Sequence, residues 1–220
     1  MRLGKVTTAL AAAASAATML ALASPALAVT SNDTTQFAVS AGTLSFTTAP
    51  DTPNLPALTL TGAQQTLNAT MANFGVSDAT GTGSGWNVTV NGDASGGKSA
   101  VFKRYCTQAG GCAGDPFGYV TGGATLAANS LTLNSTGAGF SAQGGTTGVA
   151  PTHSCNSSCN LDSAAPVKIV SAATSAGMGS YLTSGFSGTS VAAITPSTAQ
   201  ALPANEVYRL DLLWTLGSGP

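Results

Sequence analysis

The sequence predicts an all-β protein, an antiparallel, Greek-key-like β-sandwich with a disulfide-bearing loop insertion. Three observations predict it. Short runs rich in Val, Thr, Leu and Phe alternate with clusters of Gly, Pro, Asn and Asp, the pattern of strands punctuated by turns. No window repeats apolar residues at helical spacing over three turns, so amphipathic helices leave no signal. All four cysteines fall within the loop-rich stretch 92–166.

The elements can be justified in order. Residues 1–28 begin with the basic Arg2 and Lys5, continue through an Ala- and Leu-rich run over 10–23, and close on Ala26-Leu27-Ala28. These are the three parts of a secretory signal peptide. The apolar run is shorter than the roughly 20 residues a spanning helix needs, and Pro25 follows it, so a removable leader is expected rather than an anchor. No membrane span is expected later. Residues 29–220 then form a single domain, with the insertion at about 92–166.

Strands are expected at 36–39, 43–47, 57–60, 67–71, 74–78, 86–91, 100–104, 131–134, 167–171, 178–182, 191–194 and 207–216. Only 63–69 has the character of a helical turn. Leu202-Pro203-Ala204-Asn205-Glu206 loosely resembles a sortase pentapeptide, but a Thr-Gly ending, hydrophobic segment and positive tail are missing. Leu202 and Pro203 are better read as a turn into the last strand.

Composition bounds the partners. Charged residues make up 7% of the chain and hydrophobic residues 43%, against about 25% charged in an ordinary domain, so hydroxyl and amide groups must solvate the surface. Seven Lys and Arg in 220 residues build no basic patch, which excludes nucleic acid and anionic membrane surfaces as partners. Lys103-Arg104 is the one basic pair considered for an anionic wall polymer; a surface strand end is the plainer reading.

The same scarcity argues against an enzyme. His153 is the single histidine, expected in a solvated loop, and no Gly-x-Ser-x-Gly elbow accompanies it. Most aspartates stand beside Gly, Pro, Ser or Asn, where they cap turns; Asp78, ahead of a glycine-rich turn, is read this way. No catalytic residue, cofactor or metal is expected. Cys106, Cys112, Cys155 and Cys159 allow three disulfide connectivities, and their close spacing favours Cys106 with Cys112 and Cys155 with Cys159. A four-thiolate zinc site is the lesser alternative, since neither spacing is a Cys-x2-Cys knuckle.

Two strands hold the only tryptophans. Over 207–216 the positions Tyr208, Leu210, Leu212, Trp214 and Leu216 share one wholly apolar face, because side chains alternate along a strand. Over 86–91 the alternation sets Trp86, Val88 and Val90 opposite Asn87, Thr89 and Asn91, directly after Gly81-Thr82-Gly83-Ser84-Gly85. Each indole serves either as core or as a face against which a sugar ring stacks. Both uses are compatible if the two strands are neighbours.

The run from Tyr208 to Pro220, with its order Tyr, three residues, Leu, one, Trp, one, Leu, three, Pro, resembles the signature that ends the WxL-domain surface proteins of Gram-positive bacteria. The mid-chain Trp86-Asn87-Val88 is similar to that family's earlier Trp-x-Leu, with Val88 in place of Leu. The resemblance covers roughly 35–220 and implies a secreted β-sandwich that binds the cell wall noncovalently, with peptidoglycan as ligand. It implies a signature site at Trp86, Val88, Tyr208, Leu212, Trp214 and Leu216, a cell-surface location and no catalysis. A structural or assembly subunit of a surface protein complex, with protein partners and both tryptophans in the core, is the alternative.

Overall fold

The computed structural model describes residues 34–155, 157–185, 188–194 and 198–220; the signal-peptide reading of 1–28 lies outside them. The chain divides into two units, Met1–Val39 and Ser40–Pro220. In the first, residues 34–39 form no strand, in contrast to the expectation for 36–39. Alternation alone supplies no hydrogen-bonding neighbour, and Phe37 and Val39 stay exposed.

The second unit is built from β1 (Leu44–Thr48), β2 (Gln65–Ala69), β3 (Gly75–Asp78), β4 (Trp86–Gly92), β5 (Lys103–Cys106), β6 (Gly118–Tyr119), β7 (Leu131–Asn134) and β8 (Gly139–Gln143). It continues with β9 (Thr152–His153), β10 (Cys159–Asn160), β11 (Val167–Ala172), β12 (Gly179–Ser184), β13 (Gly188–Ile194), β14 (Glu206–Arg209) and β15 (Leu212–Ser218). A single 3-10 turn, Ser95–Gly97, interrupts them. The strands pair antiparallel in four sheets: sheet I is β1-β3-β12-β8, sheet II β10-β7-β13-β2, sheet III β15-β4-β11-β9 and sheet IV β14-β5-β6. The expected fold class is therefore the one observed, antiparallel sheets packed on one another with two disulfides.

Three expectations for individual elements are corrected. Residues 57–60 make no strand: Pro53 and Pro56 just upstream lack N–H donors, and Leu55, Leu58 and Leu60 reach the core cluster without a ladder. Residues 65–69 are β2, paired with β13, so the strand expected at 67–71 is met over 67–69 and the helical turn at 63–69 is not; so short a helix is marginal alone, whereas a neighbouring strand supplies the hydrogen bonds. The long strand expected over 207–216 is two strands in different sheets.

One core cluster gathers side chains from sheets I, II and III. Phe74, Val76, Trp86, Val88, Val90, Val170 and Ala172 are buried there, joined by Leu131, Leu133 and Leu161. Thr183 is buried with them, and its hydroxyl is satisfied locally, accepting from the Phe74 N–H at 2.9 Å and donating to the Phe74 carbonyl at 3.1 Å. A register shift between Lys168 and Val170 turns the consecutive Ile169 and Val170 both inward, as a bulge allows. Buried Asp162 accepts from the backbone of Ser130 and Leu131, fixing the start of β7.

The disulfide-bearing stretch 92–166 supplies β5 to β10 and reaches every sheet. Its β5 pairs with β14, β7 with β13, β8 with β12 and β9 with β11. Within it Cys106 bonds Cys112 and Cys155 bonds Cys159, the local pairing that the spacing favours.

Candidate functional site

The two tryptophan strands are neighbours. β15 pairs with β4 along its whole length, from Leu212 opposite Gly92 to Ser218 opposite Trp86. Trp86, Val88 and Val90 point into the core at 1%, 0% and 0% exposure, and Tyr208, Leu210, Leu212, Trp214 and Leu216 all pack against it.

The indoles occupy opposite ends of this face. Trp86 faces Ser218 and Trp214 faces Val90, an offset of four residues and about 13 Å at the usual strand rise. Trp86 is sealed: its indole N–H donates to the Gly177 carbonyl at 3.0 Å. Gly177, at φ +70°, lies so close that an added Cβ would stand 2.7 Å from the indole nitrogen. Trp214 is only half-buried; its ring lies 5.9 Å from Phe74, which meets Phe46 edge-on at 6.3 Å. The strands are adjacent, yet the rings form no shared platform.

The opposite face of sheet III is mostly amide and hydroxyl, with Lys168 as a cation and Leu213 exposed among them. Asn87, Thr89 and Asn91 alternate with the buried residues of β4, and across the pairing stand Thr215 and Leu213 on one side and Lys168 and Ser171 on the other. Asn87 ties the strand ends together by donating to the Gly219 carbonyl at 2.7 Å.

The C-terminal run changes sheet at Asp211. The Asp211 N–H donates to the Ser99 carbonyl and its own carbonyl accepts from the Asp93 N–H, both at 2.8 Å. Its carboxylate accepts from the Tyr119 hydroxyl at 2.6 Å and from the Ser99 N–H at 3.3 Å. These bonds bend the chain between β14 and β15, and no period in the sequence announces them.

Sheet IV has two unlike faces. Inward, the Arg104 guanidinium spans Glu206, through Nε and through Nη2 at 2.7 Å, and reaches Asp115 at 3.0 Å. Arg104 holds the Glu206 carboxyl below its ordinary range by hydrogen bonding, so of the Lys103-Arg104 pair only Lys103 faces outward. On the outer face the register aligns Val207, Tyr105 and Tyr119 in one row, with Arg209 opposite Lys103 in the next. Tyr105 meets Phe117 at 5.7 Å and Tyr119 at 4.9 Å, both edge-on, and the Arg209 guanidinium lies 4.6 Å from the Tyr105 ring centre. Burial, and then the hydrogen bond to Asp211, push the Tyr119 phenol well above its ordinary range. Sequence reading missed this cluster. The signal was the alternation of Lys103 and Tyr105 with Arg104 and Cys106, which separates an outer from an inner face.

Other singled-out residues take structural places. Asp78 accepts from the N–H and hydroxyl of Thr80 at 3.0 and 2.6 Å, an Asx turn ahead of the glycine-rich segment. His153 lies on β9 rather than in a solvated loop, stacked on Phe140 at 4.4 Å with Nε2 3.3 Å from the Gly139 carbonyl, and burial lowers its pKa. Leu202 and Pro203 lead into β14 through a turn, with the Glu206 N–H donating to the Pro203 carbonyl. Among the described residues no helix is long and apolar enough to cross a membrane.

Comparison with known proteins adds no relative. No family model, curated protein or solved structure matches the chain.

Proposed function

We propose that this chain is a secreted, cell-surface protein of the WxL type that attaches noncovalently to the bacterial cell wall through peptidoglycan. The observation that carries the reading is the pairing of β4 with β15: the two segments on which the resemblance rests, 128 residues apart at the Val88–Leu216 pair, meet as one continuous ladder. Two disulfides accord with an oxidising compartment. The outward amides and hydroxyls of Asn87, Thr89, Asn91 and Thr215, beside Lys168, offer donors and acceptors to a glycan.

The burial of Trp86 favours a second reading, in which the tryptophans serve only the core and the chain is a subunit of a surface assembly. Sedimentation of residues 29–220 with protein-free peptidoglycan sacculi separates the two. Wall attachment predicts that the protein pellets with the sacculi. Protein that stays in the supernatant, yet co-purifies with another surface protein, supports the assembly reading and ends the first.

A further inference from the structure

On the outer face of sheet IV several aromatic rings meet solvent together. Phe117 is 56% exposed and Val207 43%, while Tyr105 and Tyr119 are half-buried beside them. Leaving such side chains in water forgoes burial worth roughly 1.5–3 kcal/mol for each large apolar one. Their arrangement is specific. Phe117 and Tyr119 stand at 77° and 83° to Tyr105, so the rings make a corner rather than a plate, and Arg209 braces the Tyr105 ring by a cation–π contact.

Around this corner stand polar groups with capacity to spare. Among the described residues Lys103 has no carboxylate within ion-pair distance, and no residue accepts from the Tyr105 hydroxyl. Arg209 pairs with Asp211 at 3.3 Å, and Arg104 on the inner face pairs with Glu206 and Asp115, so Lys103 is the cation of this sheet that no carboxylate among the described residues holds.

We infer that this corner binds an amino-sugar glycan bearing acidic groups, with a pyranose ring stacked on Phe117 and Tyr105 and a carboxylate of the peptide stem drawn to Lys103. Aromatic rings carry a partly negative face, which receives the axial C–H groups of a sugar; the corner grips the ring from two sides. The Lys103 ammonium, held by no carboxylate among the described residues, complements the carboxylates of peptidoglycan stems. The choice of ligand rests on the wall-attachment reading above; the corner itself is a separate site from the β4–β15 signature.

The test uses the chain 29–220 with two probes, peptidoglycan sacculi and the neutral hexamer of N-acetylglucosamine, the latter read by intrinsic fluorescence. Phe117→Ala and Tyr105→Ala should each weaken binding to both at least tenfold. Lys103→Ala should weaken sacculus binding several-fold and leave the neutral hexamer unaffected, and Gln143→Ala, exposed on β8 of sheet I, should change neither. Circular dichroism and thermal unfolding verify the fold. Should Tyr105→Ala fail to fold, Phe117→Ser, at an exposed position, and Lys103→Glu carry the same comparison. Folded patch variants that bind both probes as the parent does would overturn the site and leave wall attachment standing. Hexamer binding without sacculus binding supports the site and ends the wall reading; a parent chain that binds neither probe overturns both.

Discussion

The two halves of the C-terminal run are held by opposite kinds of force. β15 is joined to β4 through an apolar face in which Leu216 stands opposite Val88 and Trp214 opposite Val90. β14 is joined to β5 through charge, with buried Glu206 clasped by Arg104. The ion pairs found among the described residues all involve positions 93–115 or 206–211. A chain with 7% charged residues thus gathers its ionic contacts at one side and leaves the other to packing. The lesson is that the apolar half should answer to lost volume and the ionic half to pH and salt.

The largest expected effect tests the apolar half. Trp86→Ala removes a sealed indole and leaves the Gly177 carbonyl without its donor, and should lower the unfolding free energy by about 3–5 kcal/mol in denaturant titration. Trp214→Ala, at a half-buried site, should cost about 2 kcal/mol. Equal losses would erase the distinction drawn between the two rings.

Next comes the cross-link that borders the ionic half. Replacing Cys106 and Cys112 together by serine opens a small loop, their sequence separation being 6, and should cost roughly 2 kcal/mol, read from the shift in denaturation midpoint.

The pH responses are smaller and sharper in kind. Glu206 has a folded pKa below its unfolded one because Arg104 bonds the charged form. Its contribution is therefore complete above the ordinary carboxylate range and is lost as pH falls through the folded value. Asp93, held at about 2 by hydrogen bonds from Lys98 and Ser95, acts likewise between its ordinary range and that value. Glu206→Gln should flatten the acid limb of a stability–pH curve and reduce its salt dependence, while Trp214→Ala should lower the curve with its shape unchanged. A parallel downward shift in Glu206→Gln would show that charge does not hold β14.

The smallest effect belongs to His153, whose pKa burial lowers. The unfolded chain takes up the proton more readily, so stability falls as pH drops below the ordinary histidine range. His153→Phe should remove this mild-acid component; thermal unfolding at pH 7 and pH 5 reads it.

Much of the fold was legible because its signals are local. Trp86, Val88 and Val90 alternate with Asn87, Thr89 and Asn91, and β4 follows that alternation. The strands β6, β8, β9 and β10 were not legible, since Gly118, Gly139, Thr152 and Asn160 belong to segments whose strand state comes from the strand they pair with and not from their own alternation. The division of 207–216 was hidden for a related reason. Its even positions do all reach the core cluster, as the period requires, but the bend depends on Ser99 and Asp93 binding Asp211. The aromatic corner likewise exists only through the register that sets Tyr105 beside Tyr119 and Val207.

The placing of β15 against β4 has a kinetic consequence. β4 is flanked by β11 and by the last strand of the chain, so the centre of sheet III stays incomplete until Leu212–Ser218 has become available. Ladders that close over so great a sequence distance fold slowly, on the order of milliseconds to seconds. A chain emerging from its N-terminus would thus have the Trp86 strand lacking one neighbour until Leu212–Ser218 follows it.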